Sequence, residues 1–185
     1  MPKFSDVSRQ IKDGDLLVFS GCSWVSRLIK WATGSDLSHS GLAVWVGCGG
    51  GRRLCVIEAT DHSGVRVFPL AAAVKECGEE GAKVYWQPLV DVTLDGCEVA
   101  RQAMLMWGDK YPPAKGLFLT GSGTYRWAYA ALFGGGGHYP DHLHCAQMVA
   151  AAIERAGGQL GRAPCLCTPS YLSSLPMFGE RVAIT

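Results

Sequence analysis

The sequence carries almost no net charge: 17 Lys and Arg against 16 Asp and Glu leave +1 at neutral pH. Its basic residues are dispersed, which argues against nucleic acid as a main partner, because phosphate binding needs concentrated positive charge. Acidic tails and low-complexity arms are missing too. The opening MPKFSDVSRQIKDGD has no apolar stretch leading to a small-residue cleavage site. Ordinary secretion is therefore not indicated; the chain is expected to be cytoplasmic as synthesised, with export only by a non-classical route. Nor is there a run of about 20 uncharged apolar residues of the kind a bilayer demands. The nearest candidate, GLFLTGSGTYRWAYAALF at 116–133, is broken by Gly, Ser, Thr and Arg126, so no transmembrane segment is expected.

A CxxC pair is absent, and Cys165-x-Cys167 is too tight for an ordinary zinc knuckle. The eight cysteines (22, 48, 55, 77, 97, 145, 165, 167) nevertheless suggest a disulfide framework at first sight. A chain of 185 residues with 48% hydrophobic composition can bury a core without such staples. Several cysteines sit in apolar runs, RLCVIEA and HCAQMVAAA among them. Most are expected to be reduced, buried small hydrophobes, with no disulfide linking any of them. The length suits one domain over 1–185.

Short apolar runs and turn residues give an α+β domain: a mostly antiparallel sheet packed by helices. DLLVFSG (15–21) reads as a buried strand. SWVSRLIKWATG (23–34) reads as a helix with Ser23 as N-cap and Gly34 as C-cap. HSGLAVWVG (39–47) and RRLCVIEAT (52–60) are β-rich and joined by CGGG, a hairpin. Further strands are expected at 64–70, after a turn at Asp61–Gly64, at 82–89, and in the terminal RVAIT. Helices are expected over 94–107, with Val99, Ala103 and Met106 inward, over HCAQMVAAAIERAG, and in TPSYLSSL at 168–175. The segment 111–139 is aromatic and punctuated by glycine; it reads either as a helix and loop of the core or as a lid over a cleft.

Cys145 admits three readings. It is a packing residue, as buried cysteines commonly are. Or it belongs to a metal cluster with His138, His142 and His144, although Gly137 and Pro140 work against the helix that would align His138 with His142. Or it is a nucleophile, because the first turn of a helix offers unpaired N–H groups and a dipole that favour the thiolate. No other cysteine shows that placement in the expected elements.

A nucleophilic thiol needs a base, and the base an orienting group. His39 starts a strand and is followed by Gly41, whose missing side chain leaves room. With the hairpin centred so that Glu58 faces Gly41, His39 and Glu58 are diagonal neighbours on one face, their Cβ atoms ~7–8 Å apart. A one-residue slip would separate them. Glu58 inside CVIEAT is also costly without a partner, and a His39–Glu58 pair supplies one while fixing the imidazole tautomer.

GDLLVF (14–19), SHSGLAV (38–44), VIEA (56–59), HCAQMVAAA (144–152) and TPSYL (168–172), in that order, resemble the circularly permuted branch of the NlpC-type papain-like cysteine hydrolases, to which YiiX-like proteins belong. Ordinary papain-like enzymes run Cys, His, polar residue; the permuted branch runs His, polar residue, Cys, as here. The resemblance implies a permuted papain-like fold, Cys145 as nucleophile, His39 as base and Glu58 as third member, with the Cys145 N–H as an oxyanion donor. It implies no cofactor. The sequence departs from the family pattern at Ala146, where a small hydroxyl residue is usual, at Gln147, often acidic, and at Tyr111-Pro112, in place of Tyr-Asp. These departures bear on substrate preference.

What the family acts on spans amides of peptidoglycan stem peptides and, in relatives resembling lecithin:retinol acyltransferase, acyl groups of lipids. The leading expectation is a cysteine amidase or peptidase working through a thioester on a peptide or acyl substrate, peptidoglycan foremost. It would serve as a lysin or an antibacterial effector, the latter with a cognate inhibitor as partner. The alternatives are a lipid-directed thioesterase or acyltransferase, and a catalytically silent binding module of the same fold.

Overall fold

A computed structural model describes residues 3–47, 51–110 and 143–184. The strands are β1 (Leu16–Ser20), β2 (His39–Gly47), β3 (Arg52–Thr60), β4 (Gly64–Pro69), β5 (Lys83–Gln87) and β6 (Val182–Ile184). They form one antiparallel sheet in the order β4-β3-β2-β1-β5-β6. On one face lie α4 (Gly96–Met104), α5 (Cys145–Arg155) and the short α6 (Pro169–Ser173), packed on Leu16, Val18, Leu42, Val44 and Ile57. On the other lie α1 (Phe4–Val7) and α3 (Leu70–Glu79), packed on Leu17, Phe19, Ala43, Val56 and Trp86. Coverage of both faces is why the central strands read as unbroken apolar runs instead of alternating ones.

The hairpin strands β2 and β3 keep the bounds the sequence predicts, while several ends move. The strand expected to reach residue 70 stops at Pro69, because Leu70 already opens α3. The helix expected over 94–107 is regular only across Gly96–Met104; Asp95 caps it by accepting from the Cys97 N–H at 2.9 Å. Val99, Ala103 and Met106 are buried as the spacing demands. Helix α2 (Trp24–Thr33) has both expected caps: the Ser23 side chain accepts from the Ser26 N–H, and Gly34 is left-handed with φ 61°. The cysteines are less buried than expected. Cys55, Cys145 and Cys167 are, whereas Cys22 and Cys97 are exposed. Among the described residues no helix is long and apolar enough to cross a membrane. The segments 116–133 and 111–139, with His138, His142 and Tyr111-Pro112, lie outside the described residues, as does Cys48.

Helix α5 is buried on all sides, every residue from Cys145 to Ile153 lying in the interior, which calls for the small side chains of its AAA run. It closes in a Schellman motif: Gly157, at φ 93°, donates to Glu154 O at 3.0 Å, and Gly158 donates to Ile153 O at 2.9 Å.

A buried carboxylate ties the strands together. Asp15, 2% exposed, accepts from Trp86 Nε1 at 2.7 Å and Lys12 N at 2.8 Å through Oδ2, and from Leu89 N at 2.9 Å through Oδ1. Asp15→Ala strands these donors in a dry setting and is expected to cost about 2–4 kcal/mol. Urea unfolding checks it; a loss under ~0.5 kcal/mol would show that the three donors find other acceptors.

Candidate active site

The β2–β3 register places Gly41 opposite Glu58. A Cβ on Gly41 would stand 2.6 Å from Val56 Cγ2, 2.7 Å from Ile57 O and 3.3 Å from Glu58 Cβ, so glycine is what lets the strands close here. His39, two residues earlier, shares that face by the pleat. Its Nε2 lies 2.7 Å from Glu58 Oε2. Its ring also rests against Phe19, its partner on β1, with centroids 5.2 Å apart and planes at 56°. Held on two sides, the imidazole has little freedom to turn.

Glu58 has a second partner. Arg66, opposite it on β4, donates to Oε1 from Nε at 3.0 Å and from Nη2 at 2.8 Å. The guanidinium lies over the Phe68 ring, 4.7 Å from its centroid. Burial by itself raises the Glu58 carboxyl. The hydrogen bonds and charges of His39 and Arg66 outweigh that and bring it down to about 2. The carboxylate is thus charged, 6% exposed and fully engaged.

Cys145 is the first residue of α5, and His144 is the N-cap, its Nδ1 accepting from the Gln147 N–H at 3.2 Å. The thiol and the His39 ring are near enough that each strongly shifts the ionisation of the other. Since Nε2 is engaged by Glu58, Nδ1 is the ring nitrogen left for sulfur. Burial is the strongest single influence on Cys145 and raises it. The opposing charge of His39 and the hydrogen bonds to His144 and His39 carry it down. For His39 the same holds in reverse. Burial disfavours the imidazolium, yet the Cys145 thiolate first and Glu58 second raise it. Both shifts favour a thiolate–imidazolium pair over the neutral thiol and imidazole.

Cys97 corrects the expectation that Cys145 alone occupies a helix's first turn. It is the second residue of α4. There burial, then Asp13 and Asp95, push the thiol up. A helix start is therefore insufficient; the cationic partner decides the sign.

The structure thus brings Cys145, His39 and Glu58 into one connected set and adds two residues. Arg66 was open to discovery: the turn at Asp61–Gly64 pairs Thr60 with Gly64, and two steps along the ladder Glu58 meets Arg66. The capping role of His144 had no clear signal, because Ser, Thr, Asp and Asn are the usual caps. Among the described residues no group of three His, Cys, Asp or Glu could hold an ion; His138 and His142 of the metal reading lie outside those residues.

No family model matches the sequence, and no curated protein matches it either. Among solved structures it is similar to the crystal structure of the metalloprotein YiiX from Escherichia coli O157:H7, at 18% identity and a TM-score of 0.66. The match covers 94% of this chain and 97% of that one, so the likeness is to the whole fold and not to a fragment. Sheet, flanking helices and their order along the chain are accordingly those of a YiiX-like fold.

Proposed function

We propose that the chain is a thiol hydrolase, a cysteine amidase or peptidase, formed by residues 1–185 as a single NlpC-type permuted papain-like domain. The observation that carries this reading is the Cys145 thiol at a helix start, beside an imidazole that a buried carboxylate holds at 2.7 Å. Cys145 is the nucleophile, His39 the base and Glu58 the residue that orients His39 and stabilises it as imidazolium. The thiolate attacks the acyl carbon, and the oxyanion that forms finds the Cys145 N–H at the open end of α5. The imidazolium then gives its proton to the leaving amine. A thioester remains, and water, deprotonated by the neutral imidazole, hydrolyses it.

The preferred substrates are peptidoglycan stem peptides or related amides. A lysin or antibacterial effector would put such an activity to use, and a cognate inhibitor would then be its partner. Lipid-directed thioester or acyl transfer is the competing substrate class, and it uses the same three residues. Incubation with purified peptidoglycan and, separately, with phospholipid vesicles, followed by mass spectrometry, decides between them. Released stem-peptide fragments that disappear with Cys145→Ala are the expected result. Lysophospholipid or fatty acid instead would move the assignment to lipids. No product from either, with an unreactive Cys145, would leave a binding module.

A further inference from the structure

Glu58 raises a question that the three-residue reading leaves open. A buried carboxylate facing an imidazole by itself has a spare oxygen and an uncompensated charge, and burial presses it to take up a proton. The groups that face it are His39 from β2, Arg66 from β4 and Cys77 from α3, with the Cys145 thiol beyond the imidazole. Cys77 cannot help. Burial, then Glu80 and Glu58, hold its thiol up at about 11, so it is neutral where the site would work. The charge of His39 changes as it shuttles protons. Among these groups Arg66 is the one whose charge is constant.

We propose that Arg66 is a positioning residue of this site: gripping Oε1 through Nε and Nη2, it keeps Glu58 charged and turned so that Oε2 alone meets the imidazole. The inference rests on the hydrolase reading above and adds a fourth member to the set. Both Arg66 bonds converge on one oxygen, at 3.0 and 2.8 Å, while the other oxygen is left for His39 at 2.7 Å. Rotation of the carboxylate would break both contacts together. Phe68 beneath the guanidinium holds the fork in its plane. The resulting row runs thiolate, imidazolium, carboxylate, guanidinium, with signs alternating and no net charge. Remove the last positive charge, and the pull on Glu58 from burial is opposed by His39 alone. Its carboxyl moves up into the mildly acidic range. Once protonated it no longer stabilises the imidazolium, and the thiolate at Cys145 is lost with it.

The test uses the full chain and needs no knowledge of the substrate. The rate of Cys145 alkylation by iodoacetamide is followed from pH 4 to 9 in the native protein, Arg66→Met, Arg66→Gln and Arg66→Lys. The Gln variant can still donate to Oε1, so it guards against a Met variant that fails to fold. Both neutral variants should move the midpoint of the acid limb up by about one pH unit, a fall of roughly 3-fold in thiolate fraction at pH 5.5. Arg66→Lys should restore the limb, since charge and one donor return. Neutral variants that lose thermal stability yet overlay the native profile would make Arg66 merely structural and overturn the proposal. A native protein with no acid-shifted alkylation of Cys145 would overturn the hydrolase reading itself, and that outcome is visible before any variant is made.

Discussion

Cys145→Ala is expected to abolish turnover while leaving the fold in place. The side chain loses one sulfur atom, and the helix that carries it is anchored elsewhere, by nine consecutive buried residues and a Schellman end. Truncation of one buried atom should cost about 1 kcal/mol or less. The chemical loss is of another order. Without the thiol there is no thioester, and only polarisation at the helix start and substrate binding remain, so a fall of at least ~10³-fold is expected. The measurement is a turnover assay beside a thermal melt of the same preparation. Full activity combined with a loss of several kcal/mol would make Cys145 a packing residue and place the active site elsewhere.

Legibility in the sequence followed the range of the interactions. The hairpin was readable because Glu58 could not sit unpartnered in CVIEAT and because only one register gives it a histidine; Gly41 opposite Glu58 is that register. The placement of Cys145 was readable for a similar reason, since a helix start is a local feature. Cys97 shows the limit of that reasoning. It too lies in the first turn of a helix, yet burial first and then Asp13, eighty-four residues away in sequence, push its thiol up. Helices α1 and α3 went unread because they carry no starting signal. The cap position of α3 is Pro69, the last residue of β4, and no side chain caps either helix. Asp15 could not be matched with Trp86 and Leu89 from sequence, as the sheet order that brings β1 beside β5 is a property of the whole chain.

The second large effect is expected at His39. With the ring present, Cys145 is carried down to about 5 and His39 up to about 10, so the thiolate–imidazolium pair persists between those limits. The signs follow from the pair itself. Below the lower limit the sulfur takes a proton and the nucleophile is lost; above the upper one the imidazolium gives up the proton that the leaving group needs. Activity should rise through the first and fall through the second. In His39→Ala, burial acts on the thiol against His144 alone, and the thiol should return to the ordinary range near ~8.5 or above it. At pH 6 the thiolate fraction then drops ~300-fold, from about nine-tenths to a fraction of one per cent. Iodoacetamide alkylation should fall less, by roughly 10-fold, because a more basic thiolate is intrinsically more nucleophilic. Turnover has no such compensation. It loses the thiolate and the acid for the leaving group together, and a drop of ~10²–10⁴-fold is expected. Turnover falling well beyond alkylation is thus the mark of a base that also acts as an acid. Combining His39→Ala with Cys145→Ala should do no more damage than Cys145→Ala alone, since the two act as a unit. Two effects that multiply, or an acid limb that stays near pH 5 without the imidazole, would show that His39 is not what ionises Cys145.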